Sequence, residues 1–201
     1  MNVKRLFLGI SFLCVGFLLP AAAQTSKFTD PRDGKEYRTV TIGEKTWMAE
    51  NLNFEISKKS WCYGNSKSNC EEYGRLYQWR TAKNACPAGW GLPTRQDWDE
   101  LVDAAGGRDA ARNLKSTTGW DDLQDGSSGN GTDEFGFSAL PSGRRWSGGA
   151  SQFIGTAGYW WTASGQDPWR AWNRAIVGRL REVDESHYKK NEGFSVRCVK
   201  N

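Results

Sequence analysis

The sequence predicts an α+β domain of short strands, two helices and long loops, closed by two disulfides. Three observations carry this. Apolar residues follow a helical period over only one clear stretch and otherwise alternate or run in short bursts, with no βαβ alternation. Four cysteines lie beyond a leader-like N-terminal segment, an even count that reads as two bridges in an exported chain. Eleven tryptophans and 23 glycines in 201 residues point to loops folded around a large aromatic core.

The leader comes first in the chain. Lys4 and Arg5 precede an uncharged apolar run from Leu6 to Leu19, Pro20 ends it, and Ala21, Ala22 and Ala23 offer small residues for cleavage before Gln24. The run is about 14 residues, short of the roughly 20 that span a bilayer. Residues 1–23 are therefore expected to be a removed signal peptide. Residues 24–201 are then one exported domain, secreted, periplasmic or on the cell surface, with no membrane span. Cys14 leaves with the leader, and Cys62, Cys70, Cys86 and Cys198 remain. They allow three pairings. A Cys62–Cys70 bridge closes a tight polar loop, and a Cys86–Cys198 bridge ties the middle of the chain to its end. No C-x-x-C spacing suggests a metal or redox site.

Composition excludes several classes. With 38% hydrophobic and 25% charged residues the chain is neither a disordered tail nor a membrane bundle. A single histidine argues against zinc hydrolases and iron enzymes built on several. The net charge of +4 falls to +2 without residues 1–23, so no nucleic-acid partner is expected.

Residues 24–30 are polar and expected to fray. Tyr37 to Ile42 alternates, Gly43-Glu44 turns, and Lys45 to Met48 returns, a β-hairpin. Residues 55–72 read as a polar loop holding the first two cysteines. Leu76 to Trp79 leads into a helical turn ending near Cys86. The clearest helix starts at Thr94, where Thr94 and Asp97 form a capping-box pattern, and Trp98, Leu101, Val102 and Ala105 make one apolar stripe before Gly106-Gly107. A second short helix covers Asp109 to Leu114. Residues 116–134, rich in Gly, Ser, Asp and Asn, read as a long surface loop. Strands are expected at Phe135–Leu140, Gly158–Ala163, Ala171–Leu180 and Gly193–Val199.

Several phrases then occur together: Asp33-Gly34-Lys35-Glu36-Tyr37, Trp47-Met48-Ala49-Glu50-Asn51-Leu52, Tyr73-Gly74-Arg75-Leu76-Tyr77, Cys86-Pro87, Gly89-Trp90-Gly91-Leu92-Pro93-Thr94, Gly136-Phe137-Ser138-Ala139-Leu140-Pro141, Tyr159-Trp160-Trp161-Thr162 and Gly193-Phe194-Ser195-Val196-Arg197-Cys198. In this order they resemble the Fibrobacter succinogenes major paralogous domain, over roughly residues 30–200. More distantly, Leu92-Pro93-Thr94 with Trp98 and the Arg-Cys-Val ending resembles the formylglycine-generating (sulfatase-modifying) enzymes, which carry a variant C-type lectin fold. That resemblance implies a C-type lectin-like domain and a Cys86–Cys198 bridge. It does not carry over catalysis. The copper-binding thiol pair of those enzymes has no counterpart, since no cysteine lies between Cys86 and Cys198. His187 stands alone, without a G-x-S-x-G context, and reads as a surface imidazole. No enzyme activity is expected.

Binding is the remaining reading. The sugar-calcium motif of lectins is not matched by Gln166-Asp167-Pro168-Trp169. The loop residues Asp121, Asp122, Asp125 and Asp133 are hard oxygen donors, so a structural calcium is the one cofactor the sequence suggests. They form no EF-hand, because Leu123 and Thr132 stand at ligand positions. Trp47, Trp79, Trp90 and Trp98 read as core. Trp160 and Trp161 are adjacent on a strand and point to opposite faces, leaving one ring to be covered or to take a ligand. Trp120, Trp146, Trp169 and Trp172 lie among polar residues and are expected on an exposed binding face, flanked by Arg144, Arg145, Arg170 and Arg174. The expected function is a non-catalytic module recognising glycan or extracellular protein. A degenerate sulfatase-modifying enzyme and a purely structural envelope protein are the alternatives.

Overall fold

A computed structural model describes residues 25–200; the leader read from residues 1–23 lies outside the described residues. The N-terminal segment is paired and not frayed. β1 (Thr25–Thr29) runs antiparallel to β2 (Glu36–Ile42), which turns into β3 (Lys45–Met48). Phe28 packs against Trp90 at 5.2 Å between ring centres, and the Ser26 and Thr39 hydroxyls share a 2.6 Å hydrogen bond. These partners are far away in sequence, which is why composition alone suggested fraying.

Residues 55–72 also hold more structure than a loop. They contain β4 (Ser60–Trp61), a 3₁₀ turn at Tyr63–Asn65 and most of helix α1 (Lys67–Tyr73), with Cys62 and Cys70 bridged across the helix start. β5 (Leu76–Gln78) passes straight into the short helix α2 (Trp79–Ala82), and β6 (Trp90–Gly91) follows. Helix α3 (Arg95–Ala104) starts where the capping box predicts. Thr94 Oγ1 accepts from the Asp97 N–H at 3.1 Å, and Asp97 Oδ2 accepts from the Thr94 N–H at 2.7 Å. Gly106, at φ 101°, supplies the left-handed residue that stops it. A 3₁₀ turn leads to α4 (Ala110–Leu114).

The stretch 135–140 is irregular where a strand was expected. Ala139 makes one isolated parallel bridge to Lys115, because Phe137 is driven into the core and the Phe137 and Ser138 carbonyls turn towards Arg197. The hairpin of β7 (Ser142–Arg145) and β8 (Ser151–Ile154) has too little apolar periodicity to be read from sequence. β9 (Ala157–Gly165), β10 (Arg170–Val177) and β11 (Asp184–Lys189) form an antiparallel run, and β12 (Gly193–Ser195) and β13 (Val199–Lys200) close the chain.

Among the described residues these strands make a five-stranded sheet, β1-β2-β3-β13-β6, and an eight-stranded one, β11-β10-β9-β7-β12-β5-β4 with β8 on β7. The architecture is thus α+β, mostly strands, with two disulfides, Cys62–Cys70 and Cys86–Cys198. Such bridges fit an oxidising environment outside the cytosol. No described helix is long and apolar enough to cross a membrane.

β9 divides the core. Trp160 faces Trp47, Trp98 and Phe137, while Trp161 stacks on Phe194 at 4.2 Å on the other side. Both rings are fully buried, so neither waits for a ligand. Gly158 makes the Trp160 position possible, since a Cβ there would lie 2.3 Å from the ring.

Arg197 is fully buried beside this aromatic layer. Its guanidinium donates to Asn51 Oδ1 at 3.0 and 3.1 Å, to the Met48 and Ser138 carbonyls at 3.3 Å each, and to the Phe137 carbonyl. Asn51 Oδ1 also accepts from Trp160 Nε1 at 2.8 Å, and Asn51 Nδ2 donates to the Tyr73 carbonyl at 2.9 Å.

Arg197→Met strands several of these buried acceptors and is expected to cost about 3 kcal/mol in urea unfolding. Asp97 gives a pH-dependent counterpart. Burial would raise its pKa, but the Lys45 salt bridge and the Thr94 N–H and hydroxyl outweigh burial and hold it below the ordinary carboxylate value. A carboxyl with a lower pKa folded than unfolded adds stability above its unfolded value, and that stability disappears as pH falls through the folded value. Asp97→Asn should therefore destabilise the protein by about 1 kcal/mol at neutral pH, and by much less once both forms are protonated.

Candidate functional site

The residues expected on one exposed face separate into different environments. Trp120 is core, only 4% exposed. Its Nε1 donates to Ser116 Oγ and the Ala139 carbonyl, both at 3.1 Å, and its N–H donates to Asn130 Oδ1 at 3.0 Å. The loop folds back over it because Lys115 is itself buried, donating to the Gly129 and Gly178 carbonyls at 2.5 and 3.0 Å. Trp172 is half-buried. Arg95 lies 4.1 Å over its ring, held by Glu185, and His187 packs edge-on at 5.3 Å.

Arg144 is likewise drawn off the expected exposed face. It is 6% exposed and no rim cation. Four aromatic rings enclose its guanidinium, Trp146 at 4.6 Å, Tyr188 at 4.7 Å, Phe153 at 5.2 Å and Tyr159 at 5.3 Å, with Glu192 Oε2 at 3.8 Å. Burial pushes the Glu192 pKa up against the opposing pull of Arg144. The cage is filled by the chain's own cation, and the exposed edges of Trp146 and Phe153 are its outer walls. Arg145 is half-buried, 4.3 Å over Trp61. Arg174 is buried against Asp99 and Glu185 at 2.5 and 2.6 Å.

The four carboxylates expected to share a calcium do not converge. Asp133 caps its own turn, accepting from the Ser138 N–H and hydroxyl at 2.6 Å each. Asp125 accepts from the Ser127 hydroxyl and N–H at 2.6 and 2.9 Å, which holds its pKa below the usual range. Asp121 and Asp122 stay on the surface, along an open groove with Asp125. Among the described residues no group of three or more His, Cys, Asp or Glu side chains is placed to hold a metal ion.

Trp169 differs from all of these. It sits at the turn between β9 and β10 and is 79% exposed. Local hydrogen bonds hold the turn. Asp167 Oδ1 accepts from the Trp169 and Arg170 N–H groups at 2.7 and 2.6 Å, and the Lys190 N–H donates to the Trp169 carbonyl at 2.9 Å. Burial would raise the Asp167 pKa, but these N–H groups and the neighbouring cations hold it below the ordinary value. Lys190 Nζ donates to the Asp167 carbonyl at 2.6 Å and lies 4.5 Å over the ring of Trp79. A groove of about 570 Å³ opens beside Trp169, lined by Gln78, Arg80, Arg170, Lys189, Lys190 and Asn191 as well as the turn. Trp169 and Arg170 were legible as candidates. The others were not, because three distant segments (78–80, 167–170 and 189–191) meet only through strand pairing of β5, β10, β11 and β12.

Oxidative footprinting of the folded protein should modify Trp169 fastest and Trp146, 39% exposed, next, while Trp47, Trp98, Trp120, Trp160 and Trp161 stay protected. Modification of Trp120 as fast as Trp169 would contradict this placement.

No curated protein and no solved structure matches the chain. The model of one family spans residues 40–200, from the second strand through to the last, with the buried Asn51–Arg197 pair and both disulfides inside the match. By that match the chain belongs to the Fibrobacter succinogenes major domain family.

Proposed function

We propose that the chain is an exported, non-catalytic recognition module acting at or outside the cell envelope, and that it holds a glycan against Trp169. The observation that carries this is the exposed indole on a turn fixed by Asp167 and Lys190, at the edge of a groove. An exposed Trp face held in place offers stacking area to a sugar ring at little entropic cost. Loops on a disulfide-stapled scaffold are suited to this use. The Cys86–Cys198 bridge, the pairing of β13 with β3 and the long loops support a C-type lectin-like arrangement. The leader-like sequence and the two disulfides support export.

The alternatives have less support. A purely structural protein gives no reason to keep an indole 79% exposed beside a groove. A thiol activity of the sulfatase-modifying kind lacks a nucleophile among the described residues, where all four cysteines are in disulfides.

The test is a glycan array probed with the oxidised, folded protein and with Trp169→Ala. Binding to a defined glycan class, weakened at least roughly tenfold by the substitution, is the expected outcome. Binding unchanged in Trp169→Ala, or no binding by protein shown to be folded, would sink this reading.

A further inference from the structure

We infer that the glycan taken at the Trp169 groove is anionic, a saccharide bearing carboxylate or sulfate groups; this rests on the recognition reading above and narrows its ligand. The lining carries four cations, Arg80, Arg170, Lys189 and Lys190, against one carboxylate, Asp167. That carboxylate faces its own turn and accepts two backbone N–H groups. Arg80 and Lys189 are exposed and form no ion pair among the described residues, and Arg170 reaches Asp167 only at 3.8 Å. Lys190 contributes charge while its ammonium is occupied by the turn carbonyls.

This excess of cations is unlike the linings of two other grooves. Several arginines elsewhere are matched to acids, as in Arg38–Glu50, Arg95–Glu185, Arg108–Glu182 and Arg181–Asp109, while Arg112 and Arg179 are exposed and form no ion pair among the described residues. Two other grooves of similar size have linings of mixed or acidic character, one along Arg108, Asp109, Glu182 and Glu185, the other along Asp121, Asp122 and Asp125. The whole chain is only mildly basic, and of these three grooves the one beside Trp169 carries the excess of cations.

The hydrogen-bonding inventory gives the same answer. Guanidinium and ammonium groups only donate. A neutral sugar hydroxyl presents donors and acceptors alike, and among the groove side chains only Gln78 and Asn191 can answer both. A carboxylate or sulfate presents acceptors alone, and the planar forks of Arg80 and Arg170 suit two-point contact with such groups. The ring of the same sugar residue would stack on Trp169 while its acidic substituent meets the cations.

Isothermal titration of the oxidised chain separates the outcomes, with three probes of matched length: an oligogalacturonate for carboxylate, a carrageenan oligosaccharide for sulfate, and a neutral cello-oligosaccharide. At least one acidic probe should bind roughly tenfold or more tighter than the neutral one. Raising salt from about 0.05 to about 0.5 M should remove most of that preference. Arg80→Gln with Lys189→Gln should lose the preference with its circular dichroism unchanged, and Trp169→Ala should weaken every bound probe. The ranking of the two acidic probes identifies the group recognised. Equal affinity for acidic and neutral probes would overturn the anionic inference and leave the recognition reading standing. Equally tight binding of a single-stranded DNA of the same charge would overturn it too, as general polyanion attraction. No binding of any probe would overturn both.

Discussion

A guanidinium buried without a charged partner dictates where its acceptors must be, and Arg197 does this for the centre of the molecule. Burial pushes its pKa down, but a guanidinium starts so high that it stays charged, and its N–H groups must each find an oxygen. They find Asn51, Met48, Phe137 and Ser138. One residue near the C-terminus therefore fixes the exit from β3 and the path of 135–140, and Asn51 passes the constraint to Trp160 and Tyr73. The backbone supports the same junction, with Met48 N–H donating to the Cys198 carbonyl and Leu52 N–H to the Val196 carbonyl. The Cys86–Cys198 bridge clamps the next residue along, so a covalent link and a polar network hold one strand end from both sides.

This clamp lets two aromatic cores share one strand. β9 sends Trp160 one way and Trp161 the other, and each meets rings already held by other elements. Most of the tryptophan excess is consumed here, by burial worth several kcal/mol for rings of this size. Three arginines, Arg144, Arg174 and Arg197, are buried as well. Arg144 inside its four rings, Arg95 on Trp172 and Arg145 on Trp61 use cation–π and ion-pair contacts to close the surface over the core. Residue types that suggest ligand binding are, in this chain, mostly bound to one another.

The Trp169 turn is the exception, and its geometry depends on the same scaffold. Its hydrogen bonds run to Asp167 and to Lys190, and Lys190 packs over Trp79, whose Nε1 donates to the Thr162 carbonyl on β9 at 2.8 Å. The loop is thus anchored through two side chains to the central strand. Recognition on such a turn requires little reordering on binding.

The sequence by itself determined the local and the periodic features. The β2–β3 hairpin follows from alternation around Gly43, α3 from Thr94, Asp97 and the Trp98–Leu101 stripe, and the core role of Trp47 and Trp98 from their place in such elements. The signals are short-range, and the physics that reads them is short-range too. Only the tertiary structure decided what distant residues do to one another. It paired β1 with β2, put β7–β8 where the sequence is glycine- and serine-rich, buried Trp120 and Arg144, and dispersed the Asp121, Asp122, Asp125 and Asp133 carboxylates. It also drew Arg80, Lys189 and Lys190 to Trp169. A side chain's exposure is set by what strand pairing and loop closure bring over it, and neither Trp120 nor Trp169 carries that information in its own neighbours. Both stand among polar residues; one is covered because Lys115 needed carbonyl partners, and the other stays open because Asp167 turned it outward.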